Sequence, residues 1–354
     1  MRSAKVYGRQ DLTERERAVL TAVIDSFVRT ASPAGSRRLS REYDLGVSPA
    51  TIRNTMADLE TKGFLSHPHT SAGRMPTDLA YRYYVDALMG QRRIAPGQRA
   101  KIEKELASPQ HSAIEELMSR AAQVLGLLTG ELGLAVGPAL ASAVLRRLEL
   151  VPVNSEKALL VLTLESGVVR TVFVDLPTAL PRNTLAAVAA ALNERLAGTT
   201  LEEVGEGLGD RLRDLSVGGR GVGDLINIFV QSGPEIFDWA GRNREVHLGS
   251  ASVLADQPEF NSEASLKSLI ELTEKRQLLA SILGDREASE GPQITIGAEH
   301  AAPELEALTI VTASYCVGNL QGVVGVMGPT RMAYDKVIAI VDCTSALVSK
   351  LARA

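Results

Sequence analysis

The chain has 354 residues, 45% of them apolar, with 38 Lys+Arg against 42 Asp+Glu and a formal net charge of −4. That length exceeds the about 250–300 residues at which a single core stops growing, so more than one domain is expected. The acidic balance excludes a protein that coats nucleic acid uniformly, and 4% aromatics leave the interior to Leu, Val, Ala and Ile.

Charge is unevenly spread. Residues 1–94 carry 15 basic against 10 acidic side chains, and the remainder carries 23 against 32. A basic head on an acidic body suits a DNA reader with a separate regulatory part. Cys316 and Cys343 sit among apolar residues and read as free thiols of a reducing cytosol, a single disulfide being the other possibility. The first residues lack the apolar run of an export signal. Val124–Leu145 alone invites a membrane reading, but it holds Glu131, Pro138 and four glycines. It is expected to be a buried helix end followed by a loop, in a cytoplasmic protein without a membrane partner.

In chain order, Thr13 and Glu16 form a capping-box pair ahead of an apolar stripe from Val19 to Val28. Ser36 is placed to cap a second helix running to Tyr43, with Leu39 and Tyr43 on one side. Gly46 permits the positive φ of a tight turn. Ser48 and Pro49 then open a third helix, with Ile52, Met56 and Leu59 as its buried stripe. Its other face shows Ala50, Arg53, Asn54 and Ala57, with Thr51 near the start.

Small residues let such a face enter a major groove, where Arg53 suits guanine and Asn54 suits adenine. On the helix alone, a merely solvated polar face fits equally well. The hairpin that follows tips the balance: a strand at Phe64-Leu65, a polar tip from Ser66 to Ala72, and a return from Gly73. The pattern is a winged helix-turn-helix. Thr51, Arg53 and Asn54 are the expected base readers; Arg37, Arg38, Ser48, His67, His69 and Arg74 are the expected phosphate contacts. A helix capped at Thr77 or Asp78, with Leu79, Tyr83, Val85 and Leu88 as its apolar side, closes a first domain near residue 94. A linker is expected over Gly90–Gly97.

Beyond it, a helix is expected over 112–128 and strands over 144–151, 157–164 and 168–174. Helices follow over 183–196, 201–215 and 224–230, with a strand over 245–254. The chain then continues with a helix from Ser262 to Leu283, strands at 294–296, 309–316 and 320–327, and a last helix from Tyr334 to Leu351. Helices over an antiparallel sheet define an α+β domain, here in two segments, 98–176 and 262–354, interrupted by 177–261.

Sites for catalysis are not apparent. The glycine-rich run Ser216–Asp224 lacks the Lys-Ser/Thr pair of a P-loop, and no HExxH, CxxC or GxSxG occurs. No nucleophile is paired with an orientable base, so neither an enzyme nor a bound cofactor or metal is expected. His67-Pro68-His69 has no Cys or carboxylate beside it to complete a metal set.

Two stretches carry a family resemblance. Ala50–Asp86, ATIRNTMADLETKGFLSHPHTSAGRMPTDLAYRYYVD, resembles the N-terminal signature of the HrcA heat-inducible transcription repressors. GPTRMAYDKV, Gly328–Val337, resembles that family's C-terminal signature. Thr55 stands where the family often has an acidic residue, and Ala80 where it often has Gly. The resemblance implies a GAF-like domain carrying an inserted dimerisation domain. It also implies a homodimer on the CIRCE inverted repeat of class I chaperone operons, and the chaperonin GroEL as activity modulator. A repressor gated by a small molecule in the GAF-like pocket is the alternative.

Overall fold

The computed structural model describes residues 12–68, 73–90, 94–107, 114–176, 178–213, 223–231, 237, 244–284, 286 and 291–352. His69, Pro177 and the glycines at 218, 219 and 221 lie outside the described residues.

Thr13 caps the first helix as its pairing with Glu16 predicts. Its hydroxyl accepts from the Glu16 amide at 3.3 Å while the Glu16 carboxylate accepts from the Thr13 amide at 2.8 Å. Helix α1, Glu14–Thr30, buries Val19, Leu20, Val23 and Ile24 against α3, Pro49–Thr61. Between them lies α2, Ser36–Glu42. Ser36 does not cap it. Gly35 takes that position, its carbonyl accepting from the Arg38 and Leu39 amides, and Ser36 becomes the first helical residue.

After α3 the chain forms a two-stranded antiparallel sheet, β1 (Leu65–Ser66) with β2 (Met75–Pro76). Helix α4, Asp78–Tyr83, follows and runs on as a π turn through Leu88. Thr77 caps α4, its hydroxyl accepting from the Ala80 amide at 3.3 Å. The fully buried side chains of α4 are Ala80 and Tyr81; the expected Leu79, Tyr83, Val85 and Leu88 are half-buried.

The body is a mixed α/β assembly around a five-stranded antiparallel sheet of order β7-β3-β10-β9-β8. Its strands are β3 (Leu132–Val136), β7 (Val246–Leu248), β8 (Gln293–Ile296), β9 (Leu308–Val317) and β10 (Leu320–Pro329). One face packs Val311, Ala313, Tyr315 and Val324 against α6 (Ile114–Thr129) and α13 (Tyr334–Leu351). The other packs Leu132, Leu134, Ile310 and Met327 against α11 (Glu263–Glu274) and α12 (Arg276–Gly284).

This sheet corrects several sequence expectations. Leu132–Val136 is a strand, not a loop; all five of its residues are buried, so it shows no alternation to betray it. The strand expected over 245–254 stops at Leu248, where its ladder with β3 ends, and a short helix α10, Ser252–Ala255, follows. The helix expected from Ser262 to Leu283 is broken at Lys275 into α11 and α12. The expected linker runs into α5, Pro96–Leu106, where Pro96 occupies the first turn and its missing amide costs nothing.

Among the described residues a second sheet is formed by β4 (Leu145–Pro152), β5 (Lys157–Leu164) and β6 (Val169–Asp175), antiparallel and pairing with no other strand. Helix α7, Arg182–Leu196, covers one face, setting Leu185, Val188 and Leu192 over Leu148, Leu150, Leu160 and Leu162. Asn193 secures edge strand β4, accepting from the Leu148 amide at 2.9 Å and donating to its carbonyl at 2.8 Å. Two further helices follow, α8 (Leu201–Leu212) and α9 (residues 223–231). Among the described residues no helix is long and apolar enough to cross a membrane.

Candidate nucleic-acid interface

The α2–α3 pair is set by local chemistry. Gly46 sits at φ 63°, the left-handed turn its sequence position calls for. Ser48 caps α3, its hydroxyl accepting from the Thr51 amide at 3.2 Å. Ile52, Met56 and Leu59 are buried, and Thr55 joins them at 5% exposure, its hydroxyl donating to Thr51 O at 3.1 Å. Thr55 therefore faces the core. Ala80, the other departure from the family signature, is fully buried. Neither lies on the outward face of α3.

That outward face shows Ala50, Arg53, Asn54 and Ala57, all exposed. Thr51 is half-buried, its hydroxyl 3.0 Å from that of Ser48. Arg53 has no ion-pair partner among the described residues, so its guanidinium is available to a ligand. Arg37 is likewise exposed and unpaired among them.

Arg38, Arg74 and His67 are engaged. Arg38 donates to Glu42 at 2.7 Å and holds that carboxyl below its usual range. Arg74 donates through Nε to Glu60 at 2.7 Å, and His67 Nδ1 meets the other Glu60 oxygen. One carboxylate at the end of α3 thus grips both arms of the hairpin. Glu60 is a residue the sequence reading missed, because no periodicity links it to His67 or Arg74.

Backbone contacts reinforce the clamp. Arg74 exchanges two hydrogen bonds with Ala34, at 2.8 and 2.9 Å, tying the return strand to the α1–α2 connection. A Cβ on Gly73 would come within 2.4 Å of Ala34 O, so that approach needs glycine.

Two more ties brace the helices from behind. Lys62 donates to Glu16 at 2.6 Å, and this bond, ahead of the Thr13 cap, keeps the Glu16 carboxyl below its usual range. Tyr43 accepts from Arg29 at 2.8 Å and donates to Asp25, joining α2 to α1; burial is the first cause that pushes its hydroxyl up. No group of three or more His, Cys, Asp or Glu among the described residues is gathered closely enough to hold a metal ion.

A braced helix that offers Arg and Asn to solvent, in a basic head on a larger α/β body, defines a class: DNA-binding transcription regulators. Comparison with known proteins names the family. The model of the HrcA protein C-terminal domain matches residues 115–338. The heat-inducible transcription repressor HrcA of Chlorobium phaeovibrioides is 36% identical over 346 residues, covering 95% of this chain and 96% of its own. That of Chlorobium limicola is 37% identical over 356 residues, covering 96% and 99%. The chain belongs to the HrcA family of heat-inducible transcription repressors. A crystal structure described as that of a hypothetical protein shares the fold, with a TM-score of 0.67 and 21% identity over 97% of this chain and 99% of that one.

Proposed function

We propose that the protein represses class I heat-shock (chaperone) operons by binding the CIRCE inverted repeat as a homodimer, its head acting as a winged helix-turn-helix. The observation that carries this reading is the split of α3: Ile52, Thr55, Met56 and Leu59 are buried while Arg53 and Asn54 are exposed. In the bound state α3 lies in the major groove, with Arg53, Asn54 and Thr51 at base edges. Arg37, Arg38 and Ser48 approach the backbone beside it, and His67, His69 and Arg74 approach from the hairpin.

The body is read as GAF-like, with an inserted dimerisation unit. Among the described residues strands β4–β6 pair with no other strand and carry α7, which supports placing the start of that unit at Leu145 rather than residue 177. A second copy as partner is supported by the face of this sheet that no described residue covers. There Val151, Leu159 and Phe173 stand in one row across the strands, with Val161 and Val169 beside it. Val151, Val169 and Phe173 are 42%, 56% and 65% exposed. An apolar row left open to this degree, flanked on the same side by the Arg147–Glu149 and Lys157–Asp175 pairs, has the apolar centre and polar rim that suit an interface. GroEL as modulator rests on family membership.

The test is a footprint of the full chain on a duplex carrying the inverted repeat and on a scrambled duplex of equal composition. Protection of both half-sites on the first alone is the expected result. Equal protection of both duplexes would refute sequence-specific repression.

A further inference from the structure

The two stretches that carry the family resemblance meet in space. The rings of Tyr81 and Tyr334 pack at a tilt of 44° with centroids 5.6 Å apart, and both side chains are buried. Charged groups surround them and run from head to body. Arg82 donates through Nε and Nη2 to Glu299 at 2.7 and 2.6 Å, and through Nη2 to Ile294 O at 2.7 Å. Asp78 Oδ2 accepts from the Ala298 amide at 3.0 Å. Arg331 donates to Val28 O, near the end of α1, at 2.9 Å and grips Glu259 through Nε and Nη2 at 2.6 and 2.9 Å. Gly297 makes the Asp78 contact possible: its φ is +52°, and a Cβ there would come within 2.0 Å of Asp78 Oδ2.

This joint has a defined geometry. Two-pronged arginine–carboxylate pairs fix orientation as well as distance. Arg82 and Glu299 are only 22% and 23% exposed, so removing the Glu299 charge leaves Arg82 half-buried with only Asp86, 59% exposed and 3.2 Å away, as its counter-charge. None of the joint residues lies on α3, and Arg53 and Asn54 stay exposed while the joint is closed. A dimer gains most from its second head when that head is already held over its half-site; a loosely tethered head has a lower effective concentration there and gains less.

We propose that Asp78, Arg82, Glu299 and Arg331 are positioning residues for operator binding: they fix the head on the body at the angle and reach that let two heads meet two half-sites of set spacing. This rests on the two-half-site reading above.

The test measures binding of the full-length chain to three duplexes: the inverted repeat at its native spacing, the repeat with a spacer longer by about 5 base pairs, half a helical turn, and a single half-site. Glu299→Gln keeps side-chain shape and removes the charge; Gly297→Ala independently blocks Asp78. Each variant is expected to lose roughly 10- to 100-fold on the native repeat and to stay within about 2-fold of the parent on the half-site. Its preference for native spacing should shrink, with dimer mass unchanged and the chain still folded at the assay temperature even where its unfolding midpoint falls. Parent-like affinity for the native repeat in both variants, or an equal loss on repeat and half-site, would overturn the positioning role. A parent chain that binds neither duplex above a scrambled one would instead overturn the operator reading itself.

Discussion

Glu131 stands just ahead of β3, 6% exposed, with its carboxylate accepting from Gln257 Nε2 at 3.1 Å. Burial pushes its carboxyl up from 4.5 to about 8. Between those two values the folded chain holds a proton that the unfolded chain has released. Stability is therefore expected to fall as pH rises through about 4.5 to about 8. Glu131→Gln keeps an acceptor for Gln257 and removes the titration. Urea unfolding from about pH 5 to about pH 9 should show a flatter profile for the variant and a gain on the order of 2–4 kcal/mol at the alkaline end. An unchanged slope would assign the pH dependence to other groups. The sequence showed Glu131 only as a charge inside an apolar run. Ser48, Gly46, Ile52, Met56 and Leu59 were legible because capping, left-handed turns and helical spacing are local rules. Tyr81 and Arg82 were not: Arg82 meets Glu299 217 residues away, and nothing in either neighbourhood announces the other.

At the scale of elements, the same division holds between local and long-range signals. Helices α1, α3, α7 and α13 fall where periodicity places them, and β5 and β6 follow from alternation around the Gly167 turn. Strand β3 escaped because a strand covered on both sides looks like the buried helix that precedes it. Grouping β4–β6 with the five-stranded sheet was natural from chain order. Which strands pair is a tertiary fact, and a register shift between Leu145 and Arg147 further blurs the alternation of β4. The hairpin was legible, its clamp was not. Glu60→Ala releases His67 and Arg74 together and should loosen the hairpin on α3. DNA affinity is expected to drop by about 1 kcal/mol or less, equally on operator and non-operator duplexes, since phosphate contacts carry no sequence information. Anisotropy titrations on both duplexes check this; a loss confined to the operator would place Glu60 in base readout.

On the scale of the whole molecule the proposed function needs three parts: a head that reads, a body that holds it, and, as proposed above, a separate sheet whose open face takes a second copy. Charge supports the division, with the basic excess in residues 1–94 and the acidic excess behind it. Phe173→Asp puts a charge at the β6 end of the apolar row, on its most exposed side chain, without touching the head or the joint. Sedimentation should show the dimer shifted to monomer, and affinity for the full repeat should fall by roughly 100-fold, while half-site affinity is retained. A Phe173→Asp chain that remains dimeric would move the interface elsewhere on the body.

The most direct measurement is of base readout by α3. Binding of the parent and of Arg53→Ala is compared across operator duplexes altered one base pair at a time. The variant is expected to lose roughly 1–3 kcal/mol on the intact operator and its discrimination at one position of each half-site, leaving the others as sharp as before. A uniform loss on every duplex, with all discrimination kept, would contradict the placement of this helix face against the bases.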